Sequence, residues 1–179
     1  VSIATTDAVL GQDCSNPVPI CSNVQTVPNP SYAGTGNICD FTGTNNCTSG
    51  EKNSIWYSFE IATTGDLNFT IFPNDGTNSS NGAETDYDWV LWKVTNADGS
   101  TNTSCSTLNA AAPASCNYGS PGITGIAPSG NAPSPIDSYF NSTFEPTLAV
   151  TAGERYVLVV QNFETTASGF SLDFSTSTA

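Results

Sequence analysis

The chain contains no histidine and no methionine, and its only cations are Lys52, Lys93 and Arg155. Without His there is no imidazole to activate a serine or cysteine, and no Cys/His zinc site can form. The three cations face 16 acidic residues, giving a net charge of −13. Such a field repels nucleic-acid phosphates and anionic lipid heads, so neither is expected as a partner. No apolar run approaches the roughly 18 residues of a membrane helix, and membrane insertion is not expected. No leader pattern opens the sequence at Val1, so a processed, mature product is the expectation.

Six cysteines are present, Cys14, Cys21, Cys39, Cys47, Cys105 and Cys116, and none lies in a CxxC. A four-thiolate metal site therefore lacks its usual spacing, and three disulfides formed in an oxidising compartment are the expectation. Six cysteines allow fifteen pairings. Cys105 with Cys116 is favoured, because the two bracket one short Ala/Pro/Asn loop. The other four would staple the N-terminal region in an order the sequence does not rank. These features place the protein outside the cell or on its surface.

What the chain does have is β-forming residue types in alternating runs. At 179 residues it suits one β-sandwich. Residues 1–13 form a lightly apolar extension, and 14–50 read as a disulfide-pinned region with short strands. In IWYSFEI (55–61), Tyr57, Phe59 and Ile61 alternate with Ser58 and Glu60. LNFTIF places Leu67, Phe69 and Ile71 inward, with Asn68 and Thr70 outward. DYDWVLWKV (86–94) is the most apolar strand and is expected near the centre, covered on both faces. Residues 95–139 read as a long surface-loop insertion without clear strands. The pattern returns in STFEPTLAV, in RYVLVVQNF, and in GFSLDFS with Phe170, Leu172 and Phe174 inward. No helix is expected. The fold class is thus all-β, an antiparallel, jelly-roll-like sandwich filling residues 14–179.

The strand order resembles the bacterial pre-peptidase C-terminal domain and its jelly-roll relatives. The resemblance rests on WYSF, on Gly65-Asp66-Leu67-Asn68-Phe69-Thr70-Ile71, and on Asp86-Tyr87-Asp88-Trp89-Val90-Leu91. It is completed by AGERYVLVV (152–160) and GFSLDF (169–174), so it covers about 55–174. The opening CSNPVPIC (14–21) is similar to the start of modules in large bacterial surface proteins exported by the type IX route. The resemblance implies a sandwich and an accessory role on proteases, glycosidases or adhesins. The cysteine-rich front and the 95–139 insertion depart from that pattern, and a module working without an attached catalytic domain is the expectation.

Candidate chemistry is sparse. Asp86 and Asp88 project to one side of a strand, about 7 Å apart, a separation that does not exclude glycosidase carboxylates. So exposed a pair lacks an apolar pocket to raise one pKa, and an enzyme is not expected. Calcium suits these groups better: Asp75, Glu84, Asp86 and Asp88, with Asn74, offer hard oxygens from one loop and its strand, although no EF-hand spacing is present. The competing reading is a solvated polar loop. Trp56 and Trp92 fall out of register with their inward neighbours and form either a sugar-binding platform or a surface covered by a loop such as 95–139.

Five N-x-S/T sequons occur, at Asn46, Asn68, Asn78, Asn102 and Asn141. Eighteen Asn in a chain about one-quarter Ser plus Thr yield roughly that number by chance, so the sites are candidates only.

In the first ten residues, Val1, Ile3, Ala8 and Leu10 offer alternating side chains that could pair with a neighbour's sheet edge or complete the chain's own. Repeated head to tail, pairing with a neighbour would build a filament. The functional expectation is therefore a self-associating subunit of a bacterial surface filament. The alternatives are an adhesive carbohydrate-binding module and an accessory domain of a secreted hydrolase.

Overall fold

A computed structural model describes residues 10–27, 36, 40, 48, 50–75, 85–96, 98–101, 104–119, 121–128, 143–163 and 168–179. Twelve strands are present among them: β1 (Val18–Pro19), β2 (Val24–Val27), β3 (Ser54–Glu60), β4 (Gly65–Leu67), β5 (Phe69–Pro73), β6 (Tyr87–Lys93), β7 (Ser115–Asn117), β8 (Thr124–Ala127), β9 (Phe144–Pro146), β10 (Leu148–Val150), β11 (Arg155–Asn162) and β12 (Phe170–Asp173). One sheet runs β1-β3-β11-β6-β7, the other β2-β12-β5-β8-β9, and β10-β4 form a small third. The pairing is antiparallel except at β1–β3 and β8–β9, which are parallel. The fold is thus a β-sandwich, as the alternating patterns predict, with two parallel pairs in sheets expected to be antiparallel.

The core lies between the two large sheets. Tyr57, Trp89, Leu91 and Leu158 from the first meet Phe69, Ile71, Ile126, Phe170 and Leu172 from the second. Each large side chain of this kind contributes about 1.5–3 kcal/mol on leaving water. Aromatic pairs set the spacing: Phe69 meets Trp89 edge-on at 4.9 Å, and Tyr87 meets Phe170 at 5.0 Å. The sheets are also tied at one end, where Asn117 of β7 donates to Glu145 of β9 at 2.8 Å.

Two strands change sheets at the same level. The LNFTIF run breaks at Asn68, so β4 joins the small sheet while β5 enters the second large one. Thr147 breaks β9 from β10 in the same way. The two break residues bond to each other, Thr147 Oγ1 donating to Asn68 Oδ1 at 2.7 Å. Leu67, Phe69 and Ile71 do face inward, but Asn68 is buried, not outward. A strand that switches sheets has backbone groups to satisfy at its corner, and a side-chain amide can satisfy them.

Four expectations are corrected. The 95–139 region is not strandless: it contributes β7 and β8, and a helix α1 at Cys105–Ala110. Ser104 caps that helix by accepting from the Thr107 amide at 3.2 Å. Only Leu108 of it is buried, so it left no apolar period to read. Cys105 pairs with Cys14, not Cys116, because α1 lies over the sheet face against which residue 14 packs. Cys116 sits at sheet level opposite Val90, is buried, and is also disulfide-bonded. Cys21 is an exposed free thiol, so it is not part of a disulfide set. Cys39 and Cys47 lie outside the described residues.

The C-terminus is held by its own chain. Thr178 donates to the Asp66 carbonyl and Ser177 Oγ does the same, both at 2.9 Å, while Asp66 N–H donates to Thr178 Oγ1. At the other end Gly11 accepts from Trp56 N–H at 2.7 Å, so the chain from Gly11 onward belongs to the body of the sandwich.

Candidate functional site

Strand alternation sends Ser54, Trp56 and Ser58 of β3 to the outer face of the first sheet. The β11 and β6 registers set Trp56 beside Val159 and Val90, and Val157 beside Trp92. That face is not open. Leu108 of α1, Cys14 and the disulfide pack on it, and Trp56 and Trp92 stack in parallel at 5.9 Å, each about 1% exposed. Trp56 Nε1 donates to Glu51 Oε1 at 3.0 Å. The two indoles are a second, smaller core and cannot serve as a sugar platform; the loop-covered reading holds.

A set of buried carboxyls surrounds this second core. Glu51 accepts from Ser54 Oγ, from Trp56 and from Asp40 N–H, while Asp40 accepts from Cys14 N–H. Burial raises the Glu51 carboxyl above its ordinary value, its hydrogen bonds opposing and the Asp40 charge adding. Asp40 is raised chiefly by burial, with the Cys14 amide opposing and Asp13 adding. Asp13 is itself 1% exposed.

The predicted cation ligands are only partly brought together. Asp86 and Asp88 lie on the outer side of β6, and Asp88 is buried rather than exposed. Its carboxyl is pushed up to about 7, mainly by burial and further by Asp86, with Lys52 opposing. Lys52 sits over the Phe163 ring, 3.8 Å from its centroid. Asp75 works elsewhere: its Oδ2 accepts from Thr85 N–H at 3.0 Å and from Thr85 Oγ1. Its charge also acts on Tyr87, whose ring faces the opposite, core side of β6. Asp75 thus has Thr85 as its partner, and Glu84 lies outside the described residues.

Among the sequons, Asn68 is corrected. It is 2% exposed, its amide donates to Thr176 O at 3.3 Å and its oxygen accepts from Thr147, so it cannot carry a glycan in the folded chain. Asn46, Asn78, Asn102 and Asn141 lie outside the described residues, as do Val1, Ile3 and Ala8. Leu10 is an exposed turn residue, 49% accessible.

A concave site lies where no motif pointed. Beyond Pro19 and Ile20, which donates to Ser58 O at 2.9 Å, the edge of β3 loses its neighbour. A cavity of about 390 Å³ opens there between Pro17, Pro19, Phe59, Tyr156, Glu60 and Arg155. A second of about 280 Å³ adjoins it, and Ile20, Phe59 and Glu60 line both. Phe59 stacks on Tyr156 at 5.7 Å, and Arg155 Nε donates to Glu60 at 2.8 Å across the β3–β11 register. The sequence clue was a Pro-x-Pro beside an edge. Pairing it with Arg155 and Glu60 needed the register.

No protein-family model matches the sequence, and no curated protein matches it. Among solved structures, the chain is similar to the pre-peptidase C-terminal domain of a collagenase from Bacillus anthracis, at 12% identity and a TM-score of 0.40. The match covers 88% of this chain and 92% of that one.

Proposed function

We propose that the chain is an extracellular, non-catalytic accessory module whose paired cavities beside β3 bind carbohydrate. The observation that carries this reading is the double groove itself. It offers the partly exposed Phe59 ring, backed by the buried Tyr156, with charged, planar hydrogen-bonding groups, Arg155 and Glu60, at its rim. Apolar surface with a few convergent polar groups is the general form of a small-ligand site, and sugars present both a stacking face and hydroxyls. The Cys14–Cys105 disulfide fits an oxidising compartment. The absence of His supports a binding role over nucleophilic catalysis.

A glycan array probed with the full chain tests this. Binding to at least one saccharide class that weakens tenfold or more in Arg155→Ala and Glu60→Ala supports the groove. No binding, or binding indifferent to both substitutions, overturns it.

Calcium remains a proposal at Asp86 and Asp88, where a second cation besides Lys52 would relieve two neighbouring carboxylates. A Tm raised by calcium over EDTA, and not in Asp86→Asn, supports it; no shift refutes it. Filament assembly through residues 1–10 draws only on the exposure of Leu10.

A further inference from the structure

The Cys14–Cys105 disulfide has a carboxylic acid beside it that none of the readings above uses. A carboxylate oxygen of Asp40 lies within 4.8 Å of both sulfurs. Asp40 is 94% buried, since its exposure is 6%, and one of its oxygens, Oδ1, has no hydrogen-bond partner. The other accepts from the Cys14 amide, which fixes the group against that half of the bridge. A buried, half-satisfied carboxyl is costly and calls for an explanation. The two residues are unequal: Cys14 is 3% exposed and Cys105 is more accessible. Cys14 also forms part of the wall of the larger cavity, so solvent reaches the vicinity.

We propose that Asp40 is the acid–base group of this disulfide, giving a proton to the Cys14 sulfur when the bond opens and removing it when the bond forms. An external dithiol is the reductant. Its thiolate attacks Cys105 Sγ, the S–S electron pair passes to Cys14 Sγ, and the Asp40 proton moves to that sulfur. The products are a mixed disulfide at Cys105, a Cys14 thiol and an Asp40 carboxylate. The second thiolate of the reductant then closes its own disulfide and expels Cys105 as thiolate, which takes a proton from solvent. Oxidation is the reverse, with Asp40 drawing the proton from a thiol too buried to ionise into water. The charged groups facing Asp40 are Asp13 and, through the Asp40 amide, Glu51; both disfavour a second negative charge.

The test is the rate of dithiothreitol reduction of the full chain across pH 4–9, corrected for the reductant's thiolate fraction and read by alkylation and mass. In the native chain the corrected rate constant should fall about tenfold or more as Asp40 ionises. In Asp40→Asn it should be low and flat throughout. Asp13→Asn should keep the break but move it to lower pH, because a neighbouring negative charge has been removed. An Asp40→Asn chain that is reduced at the native rate overturns the proposal. Should that variant fail to fold, a flat corrected profile in the native chain, or an unmoved break in Asp13→Asn, overturns it as well.

Discussion

Asp88 carries the clearest pH signature at the scale of single residues. Its carboxyl is pushed up to about 7 by burial and by Asp86, against an ordinary value near 4. Between those two values the unfolded chain has released the proton and the folded chain still holds it. Stability from this group therefore falls as pH rises from about 4 to about 7, and levels off above. Asp88→Asn removes the slope and should raise stability at pH 8 by about 1–3 kcal/mol, read by urea unfolding at several pH values. A variant no more stable than the parent at pH 8 would contradict the burial cost assigned here. Gly125 makes the opposite case, a residue that tolerates no change. Its φ is +150°, and an added Cβ would meet Phe69 O at 2.1 Å. Gly125→Ala should cost about 3 kcal/mol or more, because β8 must back away from β5.

At the scale of elements, the paired strand breaks at Asn68 and Thr147 are the joints of the sandwich. Thr147→Val keeps the shape but leaves Asn68 Oδ1 without its donor, and should cost about 1–3 kcal/mol in chemical denaturation. Asn68 shows how a sequence pattern can be right in its period and wrong in its consequence. LNFTIF alternates as a strand does, and its apolar members do reach the core. Two paired strands at such a corner need a polar group inside, which alternation reads as an outward face. The same limit hid α1, since one buried Leu108 makes no period. Trp56 and Trp92 were legible as off-register residues covered by the 95–139 segment, whereas the helical form of that cover was not.

For the whole molecule, the front half and the insertion are joined covalently over one face of the sandwich. Cys14–Cys105 closes 91 residues of chain. Replacing both with Ser should lower Tm by about 10 °C, from a chain-entropy loss of about 4 kcal/mol. A shift below a few degrees would show that the second core of Trp56, Trp92 and Leu108 holds that layer by packing alone. The β-sandwich and most of its inward-facing residues were legible in the chain alone. These follow from residue type and from a period of two, which are local properties of the chain. That Cys14 meets Cys105, that Asn68 is closed to glycans, and that Phe59, Glu60 and Arg155 share a groove emerged only from the folded chain. Each of those depends on the register between strands distant in sequence, and register is fixed by the packing of the entire core.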